Sequence, residues 1–422
     1  MRMYSIVGLK NLFFLPLLLI SMLLACGCET SDEQGPRTVF VPGVEKQSRQ
    51  RKTKLKPSAK LIATLKEGDM FEYLIDISDN GQSAAVLIIR NRRCLIVRNG
   101  EFLGADYDDV WAPALSPDGG SLAFAAISGE KSFVVKDGKI IGERYDYVSR
   151  PRFSPDGKTI VFKAKSGDKH FFVKNGKRLK GTFGAITDFT FSSDNSMVFV
   201  ERSLEKSFLV KNGKKVSKDY DSIKDLTLSQ NGESLAFVAS EGRDKIVVKN
   251  GKKTGGNYKV VSDLTFSPDG KSVAFVAKSD QRKFVVLNGK KHSEEYYNIS
   301  DIVFSVRGSS VAFCCATKMA QYQYGEEQIS VESTWLLVRD GKAISKEYDW
   351  IYSPVFSPDG KSLAFVAVLG EKRFVVVEGK KVTDEYDVAS DIVLTPDGKK
   401  MVFIGCDEDS NKIYRIEIPL TG

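Results

Sequence analysis

The feature that most constrains this chain is a tetrapeptide close to Ser-Pro-Asp-Gly, which recurs nine times along 422 residues. Its first residues are Ser78, Ser116, Ser154, Ser192, Ser229, Ser267, Ser305, Ser357 and Thr395, at spacings of 38, 38, 38, 37, 38, 38, 52 and 38. A fixed period of this length indicates one supersecondary unit repeated side by side. We therefore expect one repeat domain, although the length alone suggests two or three domains.

The unit from Val261 to Ser300 shows the plan of one repeat. Two apolar strands flank a Pro-Asp-Gly turn at residues 268–270, and a third strand follows a short polar turn. An Asn-Gly pair at 288–289 then predicts a tight hairpin to a weaker fourth strand. Four short antiparallel strands in about 40 residues match one blade of a propeller. The predicted fold is all-β, a single β-propeller of four-stranded blades.

Two columns of large apolar residues recur with the repeat. The first precedes each anchor: Ile77, Leu115, Phe153, Phe191, Leu228, Phe266, Phe304, Phe356 and Leu394. The second lies in the second strand: Phe124, Phe162, Phe199, Phe237, Phe275, Phe313, Phe365 and Phe403. Both columns are predicted to pack between blades.

The number of blades follows from the count of units. Eight units are complete, and residues 391–418 supply only three strands. The segment Lys60 to Glu72 precedes the first inner strand and offers the missing outer strand, which would close a ring of nine blades. A ring of eight, with one terminal unit distorted, is the alternative.

The strand-turn-strand pattern Phe-Ser-Pro-Asp-Gly-Lys-x-Leu-Ala-Phe stands in this chain at residues 266–275, with Val273 in place of Leu, and at residues 356–365. In this pattern the chain resembles the WD-repeat-like, TolB-type β-propellers of bacterial envelopes. The resemblance covers roughly residues 60 to 418. It implies the propeller architecture and a place in the cell envelope, and it does not imply a particular ligand.

The N-terminal residues have the pattern of a targeting segment. Arg2 and Lys10 precede an apolar run from Leu12 to Leu24 that is too short for a comfortable membrane span. The following Ala25-Cys26 completes a match to the lipobox of bacterial lipoproteins, which implies a signal peptide at residues 1–25 and a lipid anchor on Cys26. A plain secretory signal cut near Ala25 is the alternative.

The residues after the anchor indicate where the protein is held. Gly27 stands where an aspartate would favour retention at the inner membrane, so the resemblance implies the outer membrane if the host is Gram-negative. Residues 26–59 are expected to form a tether, and 60–422 the propeller. Between Gly27 and Lys60 the chain holds eight Lys or Arg against four Asp or Glu. This segment either lies on anionic lipid headgroups or is a solvated linker.

The composition argues against several classes of site. The body of the chain has only Cys94, Cys314, Cys315 and Cys406, too few for a disulfide framework, although a bond between Cys94 and Cys406 is left open. There are two histidines, His170 and His292, in different repeats, and no Cys-x-x-Cys pair. We expect no metal, cofactor or catalytic residue. The alternative is a glycan-active hydrolase or lyase that uses carboxylates, which needs only two acids.

In a four-stranded meander, the turns divide between two faces. The first-to-second and third-to-fourth turns form what we call the lysine face, after Lys139, Lys158, Lys177, Lys214, Lys215, Lys252, Lys253, Lys271, Lys290, Lys291, Lys342, Lys361, Lys380 and Lys381. These lysines either attract anions or protect turns and strand edges from aggregation.

The opposite, Tyr-Asp face carries the remaining turns. Its repeated pairs are Tyr107-Asp108, Tyr145-Asp146, Tyr220-Asp221, Tyr348-Asp349 and Tyr386-Asp387, and a second acidic row contains Asp188, Asp225, Asp263, Asp301 and Asp391. These carboxylates either bind a cation or, as their regular repetition favours, accept hydrogen bonds from turn amides.

Departures from the repeat point to a candidate site on the Tyr-Asp face. The 52-residue unit holds 14 extra residues in its second-to-third loop, within residues 316–334. The aromatic candidates for a partner-binding site in and near this loop and in the fourth-to-first connections are Trp111, Tyr147, Tyr322, Tyr324, Trp335, Trp350 and Tyr352. An alternative is that these aromatics cover blade edges.

The sequence therefore predicts a non-catalytic envelope lipoprotein whose propeller is a platform for binding a protein or a glycan. The membrane is contacted through lipid on Cys26. We expect no nucleic-acid partner and a monomeric chain.

Overall fold

The computed structural model describes residues 57–65, 69–78, 81–90, 93–179, 185–278, 281–324, 327–395, 397–407 and 411–420. For strand residues 70–76, 104–106, 320–324 and 327–333 it describes the backbone only. In this part of the chain there are β-strands and no helix, and hence no helix that could span a membrane. The strands form nine antiparallel sheets, which confirms the predicted all-β class. The expected signal peptide, Cys26 and nearly all of the tether lie outside the described residues.

The strands are numbered in chain order. The first is β1 (Ser58–Thr64). Blade 1 contains β2 (Asp69–Ile77), β3 (Ala84–Arg90), β4 (Arg93–Arg98) and β5 (Glu101–Tyr107). Blade 2 contains β6 (Asp109–Leu115), β7 (Leu122–Ser128), β8 (Lys131–Lys136) and β9 (Lys139–Tyr145). Blade 3 contains β10 (Tyr147–Val148), β11 (Arg152–Phe153), β12 (Ile160–Ser166), β13 (Lys169–Lys174) and β14 (Lys177–Arg178).

The central blades follow the same plan. Blade 4 contains β15 (Ala185–Phe191), β16 (Met197–Ser203), β17 (Lys206–Lys211) and β18 (Lys214–Lys215). Blade 5 contains β19 (Ser222–Leu228), β20 (Leu235–Glu241), β21 (Asp244–Lys249) and β22 (Lys252–Tyr258). Blade 6 contains β23 (Val260–Phe266), β24 (Val273–Lys278), β25 (Lys283–Leu287) and β26 (Lys290–Lys291).

The last three blades include blade 7, which has the longest strands, and blade 9, in which the first strand is split into two short strands. Blade 7 contains β27 (Asn298–Phe304), β28 (Val311–Tyr324), β29 (Glu327–Arg339) and β30 (Lys342–Ala343). Blade 8 contains β31 (Trp350–Phe356), β32 (Leu363–Leu369), β33 (Lys372–Val377) and β34 (Lys380–Lys381). Blade 9 contains β35 (Val388–Ala389), β36 (Val393–Leu394), β37 (Lys400–Asp407) and β38 (Lys412–Pro419), and it is completed by β1.

The repeated tetrapeptide is a turn held by its own side chains. In blade 6, Ser267 Oγ accepts a hydrogen bond from Ser272 N–H at 2.9 Å and donates one to Asp269 Oδ1 at 2.5 Å. Gly270 N–H donates to the Ser267 carbonyl at 2.8 Å, and Gly270 has a φ of +71° that favours glycine. The anchor therefore specifies a strand-to-strand turn, as its sequence indicates.

The third-to-fourth hairpin is specified as locally as the first turn. Asn288 and Gly289 both have positive φ, as a two-residue turn of the primed type requires. Asn288 Oδ1 also accepts a hydrogen bond from Val273 N–H at 2.9 Å, which ties the hairpin to the start of the second strand.

The apolar cores lie between blades rather than within them. Nine clusters of buried side chains occur among the described residues, one for each pair of adjacent blades, including blades 9 and 1. Phe275 of blade 6, for example, packs with Val238 and Val247 of blade 5. All eight phenylalanines of the second predicted column are buried. The column before the anchors is half-buried except for Phe356, which is buried.

The ring closes through both ends of the described chain. β1 pairs antiparallel with β38, and Ile62 and Leu65 enter the core shared by blades 9 and 1. Arg415 of β38 donates hydrogen bonds to the carbonyl of Gly81 in blade 1. The nine-blade prediction is confirmed, and the closing strand begins at Ser58 and ends at Thr64, whereas β2 already starts at Asp69.

The four cysteines of the described residues lie in the cores between blades. Cys314 packs between blades 7 and 8, and Cys315 packs between blades 6 and 7, so both are core residues as predicted. Cys94 lies in the core of blades 1 and 2, and Cys406 lies in the core of blades 9 and 1. Blade 1 separates the two, and the closing disulfide left open by the sequence is not formed.

Candidate functional site

The Tyr-Asp turns connect adjacent blades. Tyr220, at the end of blade 4, packs edge-on against Phe237 of blade 5 with ring centroids 5.5 Å apart. The next residue, Asp221, accepts a hydrogen bond from Gly242 N–H in blade 5 at 2.6 Å and pairs with Lys206 of blade 4 at 2.6 Å. These bonds, the one from Lys206 first, lower the pKa of Asp221. The pair therefore fastens one blade to the next.

The same fastening recurs around the ring. Asp108, Asp146 and Asp349 accept hydrogen bonds from the N–H groups of Gly129, Gly167 and Gly370. The tyrosines that pack edge-on against the phenylalanine of the following blade are Tyr107, Tyr145, Tyr220, Tyr258, Tyr296, Tyr348 and Tyr386. The geometry therefore favours acceptance of hydrogen bonds from turn amides over cation binding as the role of these carboxylates.

The second acidic row also has a conformational role. Asp225, Asp263 and Asp301 adopt φ between 52° and 54°, each at an irregularity in the pairing of the first two strands of its blade. Aspartate tolerates the left-handed region better than most residues with a side chain, so it suits a repeated bulge. No group of three or more His, Cys, Asp or Glu in the described part of the chain is arranged to hold a metal ion.

The fourteen lysines predicted for the lysine face are exposed. The second lysine of three hairpins is paired with an acid four residues later: Lys215 with Asp219, Lys291 with Glu295, and Lys381 with Glu385. The lysine face thus contains both paired and solvated lysines. Both proposed roles, attraction of anions and protection of strand edges from aggregation, stay open.

Two of the seven candidate aromatics pack together at the base of the irregular unit, and a third contacts blade 9. Trp335 is fully buried and packs against the half-buried Trp350, with ring centroids 3.9 Å apart and ring planes tilted by 52°. Tyr352 donates its hydroxyl to the Ala389 carbonyl at 2.6 Å, and burial raises its pKa. Trp350 of the next blade packs against Trp335, which is therefore a core residue. The indole Nε1 of Trp335 has no hydrogen-bond partner among the described residues.

The other described candidates lie elsewhere in the ring. Trp111 is half-buried against the core of blades 2 and 3, and Tyr147 of blade 3 is 43% exposed. Blades 2 and 3 are not adjacent to blades 7 and 8, so Trp111 and Tyr147 lie apart from Trp335, Trp350 and Tyr352. The side chains of Tyr322 and Tyr324 lie outside the described part of the structure.

The 14-residue insertion is a β-hairpin rather than the loop expected from the sequence. β28 has 14 residues and β29 has 13, against 6 and 5 in the same strands of blade 6. Pairing continues through Tyr322 with Ile329 to Tyr324 with Glu327. At about 3.3 Å per residue, the segment from Ala316 to Tyr324 spans roughly 26 Å. We call residues 317–334 the long hairpin.

The register sorts the residues of the long hairpin into two kinds of pair. The pairs Ala320–Val331, Tyr322–Ile329 and Tyr324–Glu327 alternate with the pairs Met319–Glu332, Gln321–Ser330 and Gln323–Gln328. Because alternate residues of a strand belong to opposite faces, the mostly apolar pairs share one face of the ladder.

The first and second strands of blade 3 hold a group of charged residues that the sequence reasoning missed. Arg152 Nη2 lies 3.4 Å from Asp188 Oδ1 of blade 4, and Lys163 Nζ donates to the carbonyls of Ile186 and Thr187 at 3.1 Å each. A comparison of equivalent positions across the repeats would have found it, since Lys163 stands in a column of apolar residues.

The two histidines lie in different blades. Burial, followed by the charges of Lys165 and Lys163, lowers the pKa of His170 in blade 3. His292, after the third-to-fourth turn of blade 6, has a buried Nε2 with no hydrogen-bond partner among the described residues.

No protein-family model matches the chain, and no curated protein matches it. Among solved structures it is similar to the Dos1 propeller, with 15% identity, a TM-score of 0.38, and coverage of 57% of this chain and 74% of that chain.

Two further similar structures are β-propeller domains. That of the Trilobed protease from Pyrococcus furiosus has 11% identity and a TM-score of 0.42, with 77% of this chain and 98% of that chain covered. The propeller domain of Cps50 (Swd1) from Myceliophteria thermophila has 12% identity and a TM-score of 0.38, with 61% of this chain and 96% of that chain covered. The chain shares with them the β-propeller fold, which its own strand pairing establishes.

Proposed function

We propose that the protein is a lipid-anchored envelope protein whose propeller is a non-catalytic platform for binding a protein or glycan partner. The observation that carries the proposal is the long hairpin of blade 7, which departs from a repeat otherwise kept within a residue of 38. A repeated blade needs no such extension to pack, since blade 6 makes the same core contacts without it.

The long hairpin has a firm base and two free edges. At its base, Trp335 is buried against Trp350, and Trp335 exchanges main-chain hydrogen bonds with Tyr348. Beyond Ala316, its strands pair only with each other among the described residues. Unpaired N–H and C=O groups along a strand edge accept an extended segment of another chain. This arrangement favours a protein partner over a glycan.

The lipid anchor is a separate part of the proposal and has its own test. Cys26 is the proposed lipidation site, and Cys28 lies two residues away in the same segment. We expect Cys26→Ala to release the protein from the membrane fraction, because several acyl chains are needed for stable anchoring. The matched control, Cys28→Ala, is expected to stay in that fraction. Equal release of both variants, or of neither, would contradict anchoring through Cys26.

Photo-crosslinking in cells tests the partner site. A photoreactive phenylalanine is placed at Gln321 or Gln323 in the long hairpin, and at Gln281 in the shorter second-to-third turn of blade 6 as the matched control. We expect a discrete crosslinked species from the hairpin positions and none from position 281. Equal crosslinking from all three positions, or none from the hairpin, would contradict the proposed site.

The competing class is a glycan-active enzyme that uses carboxylates. The repeated acids with described partners fasten blades and turns, which supports the binding platform over this alternative. Incubation of the full chain with cell-wall and surface glycans separates the two classes. Saturable binding without products supports a platform, and turnover would overturn it.

A further inference from the structure

Blade 3 departs from the other blades at three positions. Lys163, in the middle of its second strand, occupies a column that is otherwise apolar: Leu87, Ala125, Val200, Val238, Val276, Cys314, Val366 and Ile404. Four residues before the anchor, Arg150 replaces the aspartate of blades 4 to 7 and 9. Two residues before the anchor, Arg152 replaces the threonine of blades 4 to 6. All three departures introduce a cation.

The three cations lie in blade 3 and contact the inner strands of the blades on either side of it. First strands of neighbouring blades contact one another, so they are the innermost strands of the ring. Arg150 Nη2 donates to the Pro113 carbonyl of blade 2 at 3.2 Å. Arg152 pairs with Asp188 of blade 4, and Lys163 reaches the carbonyls of the same inner strand of blade 4.

The charge of this cluster is not balanced by its neighbours. Asp188 is the one carboxylate that pairs with it among the described residues. Burial is the main cause that lowers the pKa of both Lys163 and Arg152, while Asp188 acts in the opposite direction. Placing half-buried cations side by side is unfavourable unless another anion compensates them.

Hydrogen-bond donors also remain available. Lys163 uses two of its three N–H donors on carbonyls, and each arginine donates to one acceptor among the described residues. Arg150 is exposed, and the side chain of Arg152 is 42% exposed, so solvent reaches the cluster. The guanidinium group of Arg152 and the ammonium group of Lys163 both contact the inner strand of blade 4, and their donors match the acceptor oxygens of a phosphate or carboxylate.

We propose that Arg150, Arg152 and Lys163 form an anion-binding site in the wall of the propeller's central channel, which takes the phosphate or carboxylate group of a small ligand. The site lies in blade 3 and does not depend on the long hairpin or on the proposed partner. Asp188 positions Arg152, and the anion completes the charge balance of the cluster.

Calorimetric titration of the full chain in uncharged detergent tests this site. Inorganic phosphate and citrate are titrated separately at constant ionic strength, so that the two oxyanion classes are distinguished. Lys163→Val and Arg152→Thr install the residues that blade 6 carries as Val276 and Thr265, and are therefore expected to fold. Each is expected to weaken the tighter-bound anion about tenfold or more, since hydrogen bonds to charged groups are the strong ones.

The matched control is Lys158→Gln, which removes one exposed lysine from the first turn of the same blade. We expect this variant to bind the anion as the unaltered chain does. Absence of saturable binding of either anion by the unaltered chain would overturn the proposal. An equal loss of affinity in Lys158→Gln would also overturn it, because it would indicate attraction by the general positive field.

Discussion

Blades 6 and 7 are neighbours built from the same parts, and they differ mainly in the length of their second and third strands. Both have the serine turn, a buried phenylalanine and a tyrosine that packs across the blade boundary. Strand β24 ends at Lys278, whereas β28 continues to Tyr324. The repeated residues therefore form the ring, and the added residues of blade 7 are not needed for it.

The largest expected effect on stability comes from deleting β1. This strand completes blade 9, which otherwise lacks the outermost strand that blade 6 has. Deletion of residues 57–65 removes β1, exposes the edge of β38 and opens the core that contains Ile62. We expect loss of cooperative thermal unfolding and aggregation on size-exclusion chromatography. A control deletion of residues 35–43 shortens the expected tether and should leave unfolding unchanged. An unchanged transition after loss of β1 would contradict ring closure through this strand.

The next largest effect tests whether the cores of blades 6 and 7 are equivalent. Phe275→Ala and Phe313→Ala each empty a fully buried position between blades. We expect both to lower the free energy of unfolding by about 3–5 kcal/mol, measured by denaturant titration. Phe275→Leu and Phe313→Leu keep most of the volume and should cost less. A much larger loss in blade 7 would mean that the long hairpin contributes to its core.

Acid is expected to weaken the serine turns in a predictable direction. A hydrogen bond from the anchor side chain is the first cause that lowers the pKa of Asp118, Asp156, Asp194, Asp269, Asp359 and Asp397. The folded chain therefore binds fewer protons than the unfolded chain. The stabilisation is complete above about pH 4 and is lost as the pH falls through the lowered folded values.

Blade 5 supplies the matched pair for this acid effect, because Asn231 stands where blade 6 has Asp269 and accepts the same serine hydrogen bond. Asp269→Asn should make the melting temperature less dependent on pH below 4, and Asn231→Asp should make it more dependent. The same pH dependence in both variants would contradict a contribution from these turns.

The smallest effect on stability is expected from the long hairpin itself. Replacing residues 317–334 by the blade 6 sequence Ser-Asp-Gln-Arg gives blade 7 the turn length of its neighbour. We expect the free energy of unfolding to change by less than about 0.5 kcal/mol, as for surface substitutions away from a core. Trp335→Lys, which copies Lys283 of blade 6, is the informative comparison, because it disturbs the base and should cost more.

Much of the ring was predictable because its determinants are local. The serine turn and the Asn-Gly hairpin fix their geometry through residues a few positions apart, and the period places Phe275 and its equivalents in one column. The closing strand was predictable because blade 9 lacked one.

The candidate site was less predictable because it depends on contacts between distant residues. The burial of Trp335 involves Trp350 from the next blade, and the equivalent position is polar in several other blades, as Ser207 and Lys283 show. The long hairpin leaves a weak signal, the alternation from Gln321 to Tyr324, which was read as a loop. The cations of blade 3 become a cluster only when Asp188 and the carbonyls of blade 4 are beside them.

The central claim is that a departure from the repeat, rather than the repeat itself, carries partner binding. The most direct test measures in-cell crosslinking to the species captured at Gln323, with a second photoreactive site at the exposed Glu371, in the second-to-third turn of the neighbouring blade 8. The long-hairpin replacement is compared with Lys271→Gln/Lys361→Gln, which neutralises repeated turn lysines. We predict that the replacement abolishes capture at Glu371 and that the lysine variant retains it. Capture that survives the replacement and is lost in the lysine variant would contradict the central claim.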